Sequence, residues 1–435
     1  MNYEEALAYL DSLTKFGIKF GMERIDVLSE RFGSPHKRLK VVHVGGTNGK
    51  GSTCTFISSI LSHSGLSVGT YLSPYVNDPR ERIQINGQMI SKDDFAHIIT
   101  QIAPVADEIG KSDMGEVTEF EAKTMAAFLY FSQQQVDIAV LEVGMGGRFD
   151  ATNLVHPMAA VITNVTLDHM ERLGDTVAAI AREKAGIIKP TCTVITCAQD
   201  PDALQVISDK CAHTGAELWR VFPAGTEPVN PQGDFSVQYV HNEGTLAVRS
   251  SDWAIGGLCP SLKGEFQFAN AAAAVAAVMS LERFDIRVSP SSIFSGISEA
   301  YIPGRLEVIQ DNPLLVLDGA HNPDAAQNLA QTLPNTFVYK RLILVVGMLD
   351  NHVPEGVMSH LAVMATKVIA TQSTWFKARK VDEIAESARE YCSDVESVPS
   401  VPGAVNRALQ IARPDDLILV TGSFYTIGEV PRSAH

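Results

Sequence analysis

Six short apolar runs, each ending abruptly in a polar or glycine-rich loop, constrain this chain more than any other feature. They are VDIAVLEVGMGG (136–147), AAVITNVTLDH (159–169), PLLVLDGAHN (313–322), LILVVGMLDN (342–351), KVIATQS (367–373) and DLILVTGS (416–423). A strand covered on both faces reads as a continuous apolar run rather than an alternating one. Helical patterns lie between many of these runs, so the expected class is α/β, with mainly parallel sheets covered by helices. Ligands of such sheets bind beyond the carboxyl ends of the strands, which makes the residues at those ends the candidates.

A seventh place of this kind stands near the start. Val41 and Val42 end a strand, HVGGTNGKGST (43–53) follows, and CTFISSILSHSG (54–65) has the apolar spacing and terminal glycine of a helix. A glycine-rich turn between strand and helix exposes backbone N–H groups to phosphate oxygens, and Lys50 can reach the outer phosphates. The usual spacing is G-x-x-x-x-G-K-[ST]. Here Val44 takes the first glycine position, Gly51 stands where a hydroxyl should follow Lys50, and Ser52 comes one place later. Magnesium is then held partly by residues elsewhere. A turn rich in glycine for backbone reasons alone is the alternative.

At 435 residues the chain has room for two or three domains. The Pro-Gly pair in SGISEAYIPGRLEV (295–308) suggests a boundary, with segments 1–298 and 299–435, the second holding four to six short strands. PAGTEPVNPQG, from Pro223 to Gly233, reads as a turn-rich insertion. A net charge of −15 argues against a nucleic-acid partner. The densest basic run, KARK (377–380), reads as a solvated helix face. Six cysteines without a C-x-x-C pair or zinc spacing suggest reduced, mostly buried thiols and a cytoplasmic protein. The acidic, helix-patterned MNYEEALAYLDSL shows no secretory signal, and no run approaches the roughly 18 apolar residues that span a bilayer. NAAAAVAAVMSL (270–281) reads as a buried helix.

The strand ends carry the chemistry. Glu142 precedes VGMGGRFDATN, which offers Arg148, Asp150 and Asn153; a lone strand-end Glu is more often a cap or surface acid. Asp168 and His169 close another run, and a carboxylate with a neutral imidazole can hold a divalent cation. Lys184, in IAREKAGIIKP, reads as a surface lysine on spacing alone. Arg305 offers a planar fork for phosphate, and Asp318 an acceptor for ribose hydroxyls or a polar substrate. His321 fits a proton carrier and a helix cap equally well. No G-x-S-x-G nucleophile is present, so chemistry on a nucleotide phosphate is what these residues support.

Taken in order, HVGGTNGKGS, YLSPYVNDPRERIQING, TEFEAKTMAAF, LEVGMGGRFDATN, ITNVTLDHMERLG, IAREKAGIIKP, PGRLEV, LDGAHNP and VTGSFYTIGEV resemble the motifs of the folylpolyglutamate synthase and dihydrofolate synthase family. The resemblance runs from about residue 20 to residue 430 and includes the variant phosphate-loop spacing shared with the wider Mur ligase superfamily. It implies a P-loop ATPase-like N-terminal domain with a mainly parallel sheet that holds ATP and the folate, and a smaller Rossmann-like C-terminal domain for glutamate ligation. It also implies an ATP-dependent amide ligase that adds L-glutamate to a folate or to dihydropteroate through an acyl phosphate. The expected partners are small molecules, with no nucleic acid or membrane, and the expected state is a monomer.

Residue by residue, the resemblance places the triphosphate on Thr47, Asn48, Gly49, Lys50, Gly51 and Ser52. It places magnesium on Ser73, Glu142, His169 and a carbamylated Lys184, and further nucleotide contacts on Asn270, Arg305 and Asp318. His321 and Ser423 fall where the family handles incoming glutamate, Asp150 resembles a residue needed for activity, and Tyr75 and Arg82 lie in the folate-side loop. Tyr75 and Phe266 stand where His is common, and Asp350, Asn351 and His352 stand where many members carry D-K-D. Two other readings are a non-catalytic nucleotide-binding regulator and a Mur-type ligase acting on a peptidoglycan precursor. The regulator is disfavoured because Lys50, Glu142, His169 and Lys184 are all present. The peptidoglycan ligase is disfavoured because only about 40 residues precede the phosphate loop.

Overall fold

The computed structural model describes residues 1–14, 21–226 and 235–432; most of the turn-rich stretch from Pro223 to Gly233 lies outside them. Two compact units form, one from Met1–Ser73, Arg80–Ser261 and Gln267–Ala300, the other from Pro74–Pro79, Leu262–Phe266 and Tyr301–His435.

The first unit carries strands β1 (Val41–Gly45), β2 (Val68–Tyr71), β3 (Ile83–Ile85), β4 (Gln88–Met89), β5 (Ile138–Glu142), β6 (Ala159–Ile162) and β7 (Thr193–Thr196). It continues with β8 (Glu217–Pro223), β9 (Phe235–Asn242), β10 (Thr245–Arg249) and β11 (Ala254–Leu258). They form one sheet in the order β11-β10-β9-β8-β7-β6-β1-β5-β2-β3-β4. Pairing is parallel from β2 through β5, β1, β6, β7 and β8 to β9, and antiparallel toward both edges. Every residue of β1 and β5 is buried, the signature of strands covered on both faces. One face packs the helices Lys92–Gly110 and Glu119–Gln133 through Phe95, Ile99, Met125 and Phe128. Helix Glu119–Gln133 starts at a capping box, where Thr118 and Glu121 bond each other's backbone N–H groups.

The alanine-rich helix Phe266–Ser280 is buried through Ala271, Ala272, Ala273 and Ala274, as its composition suggests. The phosphate-loop helix Lys50–His63 packs on helix Pro290–Glu299, where a Cβ on Gly296 would run into the backbone of Ile60. Only glycine permits that approach.

The second unit carries β12 (Glu307–Asp311), β13 (Leu314–Leu317), β14 (Arg341–Val346), β15 (Lys367–Ala370), β16 (Val395–Ser397) and β17 (Asp416–Thr421). Their order is β12-β13-β17-β14-β15-β16, parallel throughout except for the β12–β13 pair. Val76, from the short Pro74–Pro79 segment, joins the apolar cluster of Leu315, Leu317, Phe424 and Ile427 in this unit. KARK departs from expectation. It lies in a loop, and the next helix starts only at Val381. Four cysteines are buried, Cys197 is half-buried and Cys259 is exposed; none is in a disulfide.

Candidate functional site

In the first unit the chain leaves β1 at Gly45 and enters the helix at Lys50 through residues that only glycine accommodates easily. Gly46 has φ +138° and Gly49 φ +83°; a Cβ on the first would meet the Thr163 hydroxyl, and on the second the Asn270 amide. The loop is stitched to the segment that follows β6. The Thr47 N–H donates to Asn164 O at 2.9 Å, the Asn48 N–H to Asn164 Oδ1 at 2.8 Å, and the Thr163 hydroxyl to Asn48 O at 2.6 Å. On the other side the Gln267 amide donates to Ser52 Oγ at 3.1 Å, and Asn270 Nδ2 donates to Gln267 Oε1 at 2.9 Å. Thr163 and Asn164 were not singled out from sequence, and their signal is position alone, just past a strand; Gln267 stands beside Asn270 in the resembling KGEFQFANAA stretch.

Two ammonium groups converge on the loop. Lys50 Nζ donates to Gly46 O at 3.3 Å and to Thr47 O at 3.0 Å, and Lys184 Nζ donates to Gly46 O at 2.8 Å. Lys184 is 3% exposed, which overturns its reading as a surface lysine. Burial, and secondarily the Lys50 charge, push its pKa down to about 7. Glu142 is 2% exposed, not a surface acid, and its Oε2 accepts the Ser73 N–H at 2.7 Å. His169 has φ +49°, and burial lowers its pKa, with the Lys50 and Lys184 charges acting in the same direction against Asp168. Lys50, Asp168, His169 and Lys184 thus share one electrostatic neighbourhood. A carboxylate, an imidazole held toward its neutral form and the hydroxyls of Ser52 and Ser73 fit a hard divalent cation. Among the described residues no three His, Cys, Asp or Glu side chains group to hold a metal.

Asp150 is committed to its own turn. Its Oδ2 accepts the Met145 N–H at 2.9 Å, and its Oδ1 accepts the Thr152 N–H at 3.0 Å and the Thr152 hydroxyl at 2.6 Å. The Thr152 oxygen also lies 2.8 Å from His43 Nε2, so a buried relay runs from β1 to the GMGG turn. Burial raises the Asp150 pKa against the pull of these donors. Such a carboxylate shapes the turn. Arg82 is buried in this unit with its guanidinium 6.0 Å from the Phe120 ring, whereas Tyr75 belongs to the segment grouped with the second unit.

In the second unit Asp318 follows β13. It accepts the Leu306 N–H at 3.0 Å and the Ala320 N–H at 2.9 Å, and burial raises its pKa against Arg305. Arg305 lies over the Phe424 ring at 4.6 Å. His321 is not the helix cap. Asn322 is, accepting the Ala325 N–H at 2.9 Å, while His321 Nδ1 lies 2.8 Å from Gly319 O and its ring stacks on His352 at 4.8 Å. A carbonyl cannot donate, so Nδ1 carries a proton. Ser423 is 2% exposed and caps the short helix Phe424–Ile427.

Residues 44–278 match the family model of the Mur ligase middle domain, and residues 304–424 that of the Mur ligase glutamate ligase domain. The chain is 33% identical over 434 residues to a dihydrofolate synthase/folylpolyglutamate synthase of Bacillus subtilis, spanning 98% of each. It is 32% identical to the protein so named in Escherichia coli, over 98% of this chain and 93% of that one. Among solved structures, E. coli FolC in complex with DHPP and ADP aligns with TM-score 0.86 and 30% identity, over 98% of this chain and 96% of that one. The bifunctional folylpolyglutamate synthase/dihydrofolate synthase of Yersinia pestis, complexed with AMPPNP and a manganese ion, aligns with TM-score 0.84 and 32% identity over 98% and 97%.

Proposed function

Because the chain belongs to the Mur ligases, in the branch of the folylpolyglutamate and dihydrofolate synthases, we propose that it is an ATP-dependent ligase joining L-glutamate to the terminal carboxylate of a folate or dihydropteroate. A carboxylate is a poor electrophile at neutral pH. Transfer of the terminal phosphoryl group of ATP gives an acyl phosphate and ADP; the glutamate amine then attacks the carbonyl carbon, phosphate leaves and the amine proton is released.

The observation that carries this reading is the convergence of Lys50 and Lys184 on the Gly46 carbonyl of a glycine loop. Among the described residues both amines hydrogen-bond only backbone carbonyls, and Lys50 with the amides of Gly49 to Ser52 would receive the triphosphate, the Thr47 and Asn48 N–H groups being taken by Asn164. Ser73, Glu142, His169 and Lys184 would hold magnesium, which neutralises phosphate charge when bound. Lys184 serves as a carbamate in this role: an amine with a pKa near 7 has a large uncharged fraction to take up CO2, and the product replaces a repelling charge with two hard oxygens. Asn270, Arg305 and Asp318 contact the nucleotide, His321 and Ser423 handle glutamate, Tyr75 and Arg82 the folate, and Asp150 holds the GMGG turn. Residues 1–298 then form the ATP and folate domain, and 299–435 the glutamate-ligase domain. The protein acts on small molecules as a monomer in the cytoplasm; among the described residues no helix is long and apolar enough to cross a membrane.

The test is incubation with ATP, magnesium, glutamate and either dihydropteroate or tetrahydrofolate. ADP, phosphate and a lengthened acceptor are expected. Absence of product with every acceptor refutes the reading, and the ratio between the two acceptors assigns the preference.

A further inference from the structure

The basic run KARK sits in a chain of 35 basic and 50 acidic residues, and it is tied to the second unit's candidate residues by a continuous set of contacts. The Asp350 N–H donates to Lys377 O at 2.9 Å and the Arg379 N–H to Met348 O at 2.9 Å. The Arg379 guanidinium donates to Asp350 O at 2.6 Å, His352 O at 2.9 Å and Glu383 Oε2 at 3.0 Å. Arg379 therefore fixes the loop whose His352 ring stacks on His321. Just before KARK, Trp375 stacks on Tyr425 at 4.3 Å, and the Tyr425 N–H donates to Ser423 Oγ at 3.1 Å. Phe376 is 62% exposed with Lys377 Nζ 5.3 Å from its ring centre.

The carboxylates of this region are largely engaged: Glu383 by Arg379, and Glu429 by the Thr374 N–H and hydroxyl at 2.6 and 2.7 Å. Asp350 and Asp382 remain as opposing charges nearby. Lys377 and Lys380 are exposed, and among the described residues neither has an ion-pair partner.

We propose that Thr374 to Lys380 form the rim that receives the poly-γ-glutamyl tail of an acceptor that already carries several glutamates. This rests on the folate-ligase reading, and specifically on glutamate being handled at His321 and Ser423. Each γ-linked glutamate leaves one α-carboxylate free, so a long tail is a polyanion on a flexible methylene backbone. Lys377 and Lys380 match its charge, and Trp375 and Phe376 offer an apolar floor for its methylenes. The net charge of −15 disfavours nonspecific binding of such a tail.

The experiment compares tetrahydrofolate monoglutamate with its pentaglutamate as acceptors for the full chain and for the Lys377→Ala/Lys380→Ala variant. The KM for the pentaglutamate should rise about fivefold to tenfold, with the KM for the monoglutamate and for ATP within about twofold. The pentaglutamate advantage should fade as salt is raised from about 0.05 to 0.5 M. As a readout besides turnover, p-aminobenzoyl pentaglutamate should change the tryptophan fluorescence of the unmodified protein and not of the variant, at an unchanged melting temperature. Equal effects on both acceptors, no effect on either, or an unmodified protein that accepts dihydropteroate but no folylglutamate overturns the proposal. An unmodified protein that lengthens no acceptor overturns the ligase reading as well.

Discussion

Lys184→Met should make the protein more stable while removing its activity. The side chain keeps its length and apolar stem but loses an ammonium that the fold buries to 3% exposure. Depression of its pKa from 10.5 to about 7 corresponds, at about 1.4 kcal/mol per unit, to about 5 kcal/mol of folding free energy withheld while the group is charged. The hydrogen bond from Nζ to Gly46 O offsets about 1 kcal/mol of this when it is lost, and local relaxation trims the rest. A net gain of about 2–4 kcal/mol is expected at or below pH 7. The unfolded chain holds this proton up to about pH 10.5 and the folded chain only to about 7, so between those values the native protein gains stability as pH rises. The advantage of Lys184→Met must therefore shrink from pH 7 toward pH 10. Urea unfolding of both proteins in CO2-free buffer at pH 6.5, 8 and 9.5 measures it directly. A variant less stable than the parent at pH 6.5, or a difference that does not fall with pH, would refute the buried-ammonium argument.

Lys50→Ala should lower kcat about 10²–10⁴-fold with the melting temperature nearly unchanged, because its ammonium serves the developing phosphate charge; near-normal turnover counts against the phosphate-loop assignment. Gly49→Ala places a Cβ against Asn270 at φ +83°, so it should cost about 2 kcal/mol and weaken ATP binding at least tenfold, read by equilibrium unfolding and nucleotide titration. Thr152→Val removes the hydroxyl between Asp150 and His43 and should cost about 2–3 kcal/mol in a denaturant titration. Losing that donor raises the Asp150 pKa further. The native state then holds its proton to higher pH than the unfolded chain, so the deficit should be larger at pH 7 than at pH 5; the reverse order would contradict the relay.

Much of the architecture is legible before folding. The six apolar runs became β5, β6, β13, β14, β15 and β17, because a strand buried on both faces must be apolar throughout. The glycine loop is legible for a related reason: Gly46 and Gly49 occupy conformations that disfavour other residues, so the composition of the loop records its geometry. The antiparallel additions β3–β4 and β9–β11 left a weaker trace, since their strands alternate or are short and mostly exposed. Spacing alone read KARK as a helix face, but spacing carries no information about the loop that Arg379 holds through Asp350 and His352.

The sequence by itself determined the fold class, the phosphate loop and the ordered set of motifs, because periodicity, glycine placement and residue type are local properties that survive without a partner. Only the tertiary structure decided which of those residues are chemically unusual. Lys184 has the spacing of a surface lysine and becomes a buried amine with its pKa pushed down to about 7; Asp150, read from spacing only as part of a turn, accepts hydrogen bonds from Met145 and Thr152. His321 stands next to a helix start, yet Asn322 takes the cap and the imidazole is left to stack on His352. For Lys184 the hydrogen-bond partner and the neighbouring charge come from a segment more than a hundred residues away in the chain. A desolvation penalty belongs to the packed neighbourhood, and no window of sequence contains it.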